Sequence, residues 1–419
     1  MAGLPPLIAY ETLLWLGLNH ERADQIWERW KQITPIDDDD PHYDNESLGL
    51  FAKDFLRNLV NYDEGCDIYG DIDWTPNLRR IGANEELIDA IVNSEYRSIQ
   101  LSQSTLDWVM KAMEWRWEYL VHVYEQQINE EASESDSDDK SGSRVELGNA
   151  GCLLLSTPAQ GLDGGEEKAA DETTAHSGIP ITIQADNATS FTYDHGTNTA
   201  VNAAGEHLDY IPLWRATTRI NAEKMWSKPQ RTGTFSIRTQ STNRPTDFSG
   251  NRALQYWTPN LEAAQLYAGF AERIAGPAGV CLIRIEVAAK LMEQGQVTVL
   301  RCKDEEWKRL VWSSRRGQKV DGKELWRMLA KTWLIVGDAA TGANARYQKM
   351  DDWRQVDERC LLRLKNGQPV TQFVFGFSDF DDDLDDEIGK LGSGKVTIRH
   401  HECPNSVLAP MDLLESAGQ

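Results

Sequence analysis

The sequence predicts an α+β protein in which a helical N-terminal region is joined by an acidic linker to a region of mixed strands and helices. Apolar residues recur at helical spacing from residue 7 to about residue 127. Serine and acidic residues then dominate, and after residue 180 short apolar strands alternate with single helices. We therefore divide the chain into a helical domain (1–128), a disordered acidic linker (129–179), an α+β domain (180–400) and a tail (401–419).

The length and composition agree with this division. A chain of 419 residues suits two domains, and its 40% hydrophobic content allows each of them to bury a core. The formal net charge of -23 argues against non-specific binding to nucleic acid, because affinity for polyanions depends on lysine and arginine.

The sequence also indicates the cellular compartment of the protein. No apolar run is long enough to span a membrane, and the N-terminus lacks the basic segment of a signal peptide. The six scattered cysteines favour a reducing compartment. We expect an intracellular, cytoplasmic protein, with a nuclear location left open.

His400, His401 and Cys403 are close enough in sequence to hold a metal, but we interpret them as chance neighbours in a polar tail, so no metal site is predicted.

The helical domain shows apolar positions at a spacing of about 3.6 residues, and Asp37–Pro41 and Thr75-Pro76 are expected to interrupt its helices. Its last helix carries an aromatic stripe, Trp108, Trp115 and Trp117, which is more typical of a core than of a ligand site. The domain could bind an unknown partner protein, or simply pack on its neighbour, and both interpretations stay open.

The linker, NEEASESDSDDKSGSRVELGN and the residues after it, has too little apolar surface to offset the entropy of ordering it. One or two edge strands and a turn are expected after Ile179. A compact region from about Asp209 to about Arg399 is then expected to contain the strands and helices of the segments DYIPLWRATTR, LQYWTPNLEAAQLYAGFAERI, AGVCLIRIEVAAKLME, DEEWKRLVWSSRRG, KTWLIVGDAA and QPVTQFVFGF. Thr258 or Asn260 would cap the helix that follows YW.

Two residues of this region are candidates for ligand binding. Arg215 lies at a strand end beside Thr217 and Thr218, and an arginine with nearby hydroxyls suits a phosphate; the alternative is a surface ion pair. Tyr256 precedes a capped helix and could stack on a planar ring, or it could fill the core.

Polar groups also occur on a helix and on a late strand. Glu305 and Glu306 could act as acid and base, although carboxylates at a helix start more often favour the dipole. Gln372 alternates with Val374 in an apolar strand. The chain has no Walker loop, no GxGxxG before a helix, no HExxH and no Ser-His-Asp order, which disfavours hydrolases and P-loop enzymes.

The order LWRATTR, YWTPNLEAAQLYA, DEEWKRLVWSSRRG, KTWLIVGDAA and TQFVFGF resembles a group of ADP-ribosyltransferase-like proteins. The resemblance covers about residues 210–377, and the whole architecture also resembles that of hypothetical proteins of filamentous fungi. It implies a split β-sandwich with flanking helices that grips NAD, as substrate, in a crevice.

The resemblance also implies roles for individual residues. Arg215 would bind the nicotinamide–ribose or phosphate part of NAD, with Thr217 and Thr258 beside it, and Tyr256 would stack on the nicotinamide ring. The position of the catalytic acid on the late strand is taken by Gln372. An amide cannot supply the negative charge that stabilises the transition state of this reaction.

Two functions therefore remain open. The domain could transfer ADP-ribose from NAD to a macromolecular acceptor. Alternatively, it could be an inactive scaffold, with the helical domain and the linker recruiting partner proteins. Arg215 and Tyr256 favour the first hypothesis, and the missing glutamate favours the second.

Overall fold

The structure is a computed structural model of the full chain. It describes residues 4–33, 47–59, 73–135, 181–183, 191–194, 199–202, 206–228, 232–237, 245–249, 254–289, 297–318, 320, 325, 328–329, 332–376 and 396–400. Four predicted features lie outside these residues: the interruption at Asp37–Pro41, the linker after residue 135, the helix expected at the end of the segment AGVCLIRIEVAAKLME, and the tail with His401 and Cys403.

The N-terminal region is helical, and its apolar stripes meet in one core that includes Leu13, Leu16, Ile26 and Trp30. Its helices are α1 (Tyr10–Trp15), α2 (His20–Ile33), α3 (Ser47–Leu59), α4 (Thr75–Ile81), α5 (Glu85–Ile91), α6 (Arg97–Gln100) and α7 (Thr105–Ser135).

Two boundaries in this region differ from expectation. Thr75-Pro76 opens α4 instead of interrupting a helix, because proline in the first turn has no intrahelical N–H bond to lose. Helix α7 continues seven residues past the predicted boundary at residue 128 and ends at Ser135.

The C-terminal region mixes strands and helices, which confirms the α+β class for the residues described. Its first part contains β1 (Ile181–Ile183), β2 (Phe191–Asp194), β3 (Thr199–Asn202), β4 (Tyr210–Thr218), α8 (Arg219–Glu223), β5 (Trp226–Lys228) and β6 (Thr232–Phe235). Its second part contains β7 (Gln255–Trp257), α9 (Leu261–Ala275), β8 (Val280–Ala288), β9 (Val297–Leu300), α10 (Glu305–Arg315), β10 (Leu334–Asp338), α11 (Asn344–Gln348), β11 (Thr371–Phe375) and β12 (Val396–His400).

The strands form small sheets. Strands β1, β2 and β3 form an antiparallel meander, where one or two strands were expected. Two further sheets have the orders β12-β8-β4 and β7-β11-β10-β9, and β5 pairs with β6. Strands β9 and β10 are parallel, with α10 in the connection between them, whereas β11 is antiparallel to both of its neighbours.

The sheet β12-β8-β4 and the four-stranded sheet β7-β11-β10-β9 face each other across an apolar core. Because side chains alternate along a strand, one set from each sheet enters this inter-sheet core, including Leu213, Ile283, Val336 and Phe373. The opposite face of the four-stranded sheet packs with α10, and that of β4 and β8 packs with α9.

The helical region is not separate from this arrangement. Helix α9 contributes Phe270 and Ile274 to the core of the N-terminal helices, and Phe270 meets the Trp108 ring edge-on at 4.6 Å between centroids. The buried Arg116 of α7 donates from Nε to the Ile274 carbonyl at 3.1 Å. The aromatic stripe on α7 thus belongs to a core, and the helical region packs on its neighbour.

Among the described residues, no helix combines the length and the apolar character that crossing a bilayer requires.

Candidate functional site in the opening between two sheets

Strands β4 and β7 are the neighbouring edges of the two facing sheets, and they touch at one bridge before they separate. Trp214 N donates to the Thr258 carbonyl at 2.7 Å, and Thr258 N donates to the Trp214 carbonyl at 2.9 Å. Beyond this bridge β4 continues with β8 and β7 continues with β11. Beyond Trp214 and Thr258 no further bridge joins the two strands among the described residues, and we call this place the opening.

Arg215 lies in the opening. Arg215 follows Ile211 and Leu213 at every second position of β4, and both of these residues lie in the inter-sheet core. Its side chain therefore starts on the same face of the strand. Its Nη1 donates to the Tyr256 carbonyl at 3.4 Å, and its Cζ lies 5.9 Å from the centroid of the Trp257 ring. Burial lowers the pKa of Arg215 to about 10. The guanidinium therefore holds its charge in poorly solvated surroundings, where an anion would stabilise it.

The Tyr256 carbonyl is available to Arg215 because of the strand geometry. In antiparallel pairing every second residue turns its N–H and C=O toward the same neighbour. Thr258 uses both groups on β4, so the groups of Tyr256, two residues earlier, point to the same side after β4 has turned away. Arg215 thus contacts the backbone of Tyr256 and not its ring.

The aromatic ring on this face belongs to Trp257. Its side chain is 2% exposed and sits in the inter-sheet core, yet its Nε1–H has no acceptor in the described part of the chain. A buried donor without a partner costs about 1–3 kcal/mol, so such groups usually have an explanation such as a bound water or ligand.

The two threonines of the predicted site have different surroundings. Thr217 is buried two residues beyond Arg215 on the same face of β4. The Thr258 hydroxyl donates to the Thr371 carbonyl at 2.8 Å and accepts from Asn260 N at 3.1 Å. Asn260 holds the N-cap position of α9, but its side chain accepts from Thr371 N at 3.1 Å. Thr258 and Asn260 thus fix the junction of β7 and β11.

A charged pair lies further along the same end of the four-stranded sheet. Asp338, the last residue of β10, accepts from Arg301 Nη1 at 2.7 Å and from Cys302 N at 2.9 Å. Arg301 also donates to the Thr371 hydroxyl at 3.4 Å. This carboxylate is compensated by protein groups, so it is not a free acid in the opening.

Tyr256 lies on the other face of β7. Its ring packs in the core with Phe248 and Leu254. Its hydroxyl is 2.7 Å from Thr246 Oγ1 and accepts from Phe248 N at 3.1 Å. Burial, followed by the charge of Asp247, raises the pKa of Tyr256 above its ordinary value. This placement matches the core alternative for Tyr256, and the ring does not reach the opening.

Gln372 also faces away from Arg215. The adjacent Phe373 enters the inter-sheet core, so Gln372 points to the opposite face of the sheet. There its Nε2 donates to Asp247 Oδ2 at 2.8 Å. Its cross-strand partner is Gly337, where a Cβ would come within 2.7 Å of the Phe248 ring. The glycine therefore lets Phe248 and the loop of Asp247 approach the sheet beside Gln372. The structure does not bring Gln372 to Arg215.

Asp247 and Arg315 form a buried ion pair that the sequence did not reveal. Arg315 Nε donates to Asp247 Oδ1 at 2.7 Å, and Ala340 N donates to Oδ2 at 2.7 Å. Arg315 also donates to the Ser102 carbonyl at 3.0 Å and to Asn344 Oδ1 at 3.2 Å. Burial alone would lower the pKa of Arg315, but the Asp247 carboxylate outweighs it and the pKa is raised.

The paired carboxylates of α10 lie at its exposed start. Glu305 forms an ion pair with Arg309 one turn later, and Glu306 is exposed. Both stand in the first turn, where negative charge favours the helix dipole. The structure thus places them outside the opening.

The groups that the sequence reasoning missed are Trp257, the pair of Arg301 with Asp338, and Asp247. Alternation along QYW indicates that only one of the two adjacent aromatics can share the face of Arg215, but it does not say which one. No group of three or more potential metal ligands occurs among the residues that the structure describes. No protein-family model matches the chain, and neither a curated protein nor a solved structure shows significant similarity to it.

Proposed function

We propose that the two facing sheets are an ADP-ribosyltransferase-like split β-sandwich that binds NAD or a related nucleotide in the opening without transferring ADP-ribose. The observation that carries this proposal is the position of Arg215. Its guanidinium lies where β4 and β7 separate, hydrogen-bonded to the Tyr256 carbonyl and 5.9 Å from the centroid of the Trp257 ring.

The charge state of Arg215 supports an anionic ligand. A half-buried guanidinium gains free energy when a phosphate approaches, because phosphate oxygens accept charge-assisted hydrogen bonds. A nucleotide also offers flat rings that can lie against aromatic side chains.

The surroundings of Gln372 support binding without turnover. The acid expected on the late strand is replaced by an amide that donates to Asp247, on the far side of the sheet from Arg215. A group in that place cannot stabilise positive charge developing on a ribose in the opening. The transferase hypothesis would require another acid.

Thermal unfolding with and without NAD tests the binding. The full chain is the correct sample, because α9 belongs to the cores of both regions. Ligand at about 100 times its Kd stabilises the folded state by about 2.7 kcal/mol, which shifts the unfolding temperature by a few degrees. We expect this shift in the wild type and none in Arg215→Met.

Arg284→Met is the matched control. Arg284 also lies over a tryptophan, at 5.8 Å from the Trp214 ring, but its cross-strand position on β8 alternates away from the inter-sheet core. NAD should stabilise this variant as it does the wild type. The absence of any shift in the wild type at millimolar NAD would overturn the nucleotide proposal. Release of nicotinamide above the rate without protein would overturn the claim that no transfer occurs.

A further inference from the structure

One end of the four-stranded sheet carries a row of polar side chains on the face of the inter-sheet core. The row consists of residues at the ends of three neighbouring strands: Arg301 after β9, Asp338 of β10 and Thr371 of β11. Two residues away on each strand an apolar side chain packs in or against that core: Val299, Val336 and Phe373. Strands β9 and β10 are parallel, so their carboxyl ends meet here, and in open α/β sheets ligands bind at such ends.

Arg301 is held in place by groups from the two neighbouring strands. Its Nη1 donates to Asp338 Oδ1 at 2.7 Å and to the Thr371 hydroxyl at 3.4 Å. Its backbone is fixed as well, because Arg301 N donates to Asp304 Oδ2 at 2.7 Å. The guanidinium is therefore positioned before a ligand arrives, which lowers the entropy that binding costs.

The other edge of this guanidinium, Nε and Nη2, has no acceptor among the described residues. Neither atom is one of the buried side-chain nitrogens that lack a partner, and the side chain is 19% exposed, so this edge reaches solvent. Such a pair of parallel N–H groups matches two oxygens of one anion. Arg79 shows this geometry elsewhere in the chain, where Nε and Nη2 donate to the two oxygens of Glu85 at 2.7 Å each.

The charges around Arg301 favour a singly charged ligand. Asp338 already balances the guanidinium. The carboxylates nearby in sequence or contact outnumber the lysines, and they are Asp304, Glu305, Glu306 and Asp338 against Lys303 and Lys308. A dianionic phosphate would meet twice the repulsion that a carboxylate meets, because Coulomb energy scales with charge.

We propose that the Nε–Nη2 edge of Arg301 binds the carboxylate group of a small organic acid. Each carboxylate oxygen accepts one hydrogen bond, as the oxygens of Glu85 do from Arg79. A small acid suits the site because only 19% of the Arg301 side chain is exposed. The site shares no residue with the contacts described for Arg215, so it does not depend on the proposed function.

Nuclear magnetic resonance of the full chain with 15N-labelled arginine tests the site. The Nε–H signal of Arg301 is assigned as the one lost in Arg301→Lys. The wild type is titrated separately with sodium acetate, with inorganic phosphate at about pH 8, where phosphate is mainly a dianion, and with sodium chloride at the same ionic strength. We expect acetate to shift the Arg301 signal along a saturating curve. Phosphate should shift it no more than chloride does.

The Cys302 amide reports on the same site from a second position. Cys302 N donates to Asp338, the partner of Arg301, and the chain has only six cysteines to label with 15N. Acetate should shift this signal in the wild type but not in Arg301→Lys, because lysine keeps the charge and lacks the paired N–H edge. Arg284→Lys is the matched control, since Arg284 Nη1 also pairs with a carboxylate, that of Glu286 at 2.7 Å. It should respond to acetate like the wild type.

The outcomes that would overturn the site are distinct. A wild type in which acetate moves neither signal beyond the effect of chloride has no such site, and an equal response in Arg301→Lys would place the acetate elsewhere. Phosphate acting as strongly as acetate would overturn the assignment of a carboxylate. If Arg301→Lys does not fold, the Cys302 signal, assigned as the one lost in Cys302→Ser, still decides between acetate and chloride. None of these results bears on NAD binding, whose test uses Arg215→Met.

Discussion

The two faces of the four-stranded sheet each have an arginine close to a tyrosine or tryptophan, and the two arginines have opposite surroundings. Arg315 is enclosed by Asp247, a side-chain amide and backbone carbonyls. Arg215, at the edge of the inter-sheet face, has a long bond to the neutral Tyr256 carbonyl and lies against an indole. A carboxylate thus compensates the charge of Arg315 inside the fold, whereas the contacts described for Arg215 are with a carbonyl and an indole ring.

The largest expected effect on stability is on the face that holds Arg315 and Asp247. Both carboxylate oxygens of Asp247 accept from N–H groups, so in Asp247→Asn the new NH2 group would face donors instead of acceptors. The Arg315 charge would also stay buried without its counter-ion. We expect the free energy of unfolding to fall by about 3–5 kcal/mol. Chemical denaturation of the full chain measures it.

The control for this variant is Asp54→Asn, which removes the partner of the exposed Arg57 and should cost about 0–1 kcal/mol. Equal losses in the two variants would show that the buried pair contributes no more than a surface pair.

A smaller effect is expected from Tyr256→Phe. Removing the hydroxyl leaves Phe248 N and Thr246 without their bonds, so the free energy of unfolding should fall by about 1–3 kcal/mol. NAD should still stabilise the variant, because the ring does not face the opening. Tyr119→Phe, which changes a half-buried tyrosine packed beside α9, should stay within about 0.5 kcal/mol. If Tyr256→Phe loses NAD binding and keeps its stability, the ring contacts the ligand after all.

The smallest effect on stability is expected from Arg215→Met. Methionine keeps the apolar stem over Trp257 and removes a poorly solvated charge, so the free energy of unfolding should change by less than about 1 kcal/mol. The same variant should lose stabilisation by NAD. A loss of several kcal/mol, seen by denaturation without ligand, would place Arg215 in the same structural class as Arg315.

Local patterns predicted much of the fold. The segments LIVGD and TQFVF are buried strands as expected, and the DEEW segment forms α10. On β8, however, Val280 and Leu282 pack against α9, while Ile285 and Val287 enter the inter-sheet core. A strand covered on both faces has no single alternation to read.

The site was harder to predict because its contacts are distant in sequence. Asp247 and Arg315 are 68 residues apart, and the loop of Asp247 has no periodic pattern that points to a partner. Arg215 could be named from its own segment. Its aromatic neighbour could not, because the choice between Tyr256 and Trp257 depends on which face of β7 meets β4.

Helix α9 has one further consequence. Its alanine face lies against β4 and β8, while Phe270 and Ile274 lie among the N-terminal helices, where Arg116 holds the Ile274 carbonyl. Cutting the chain once between residues 136 and 180 would therefore leave two fragments joined by a buried apolar interface. We expect them to co-purify and to unfold together, as halves of one cooperative unit, so neither half is a portable module.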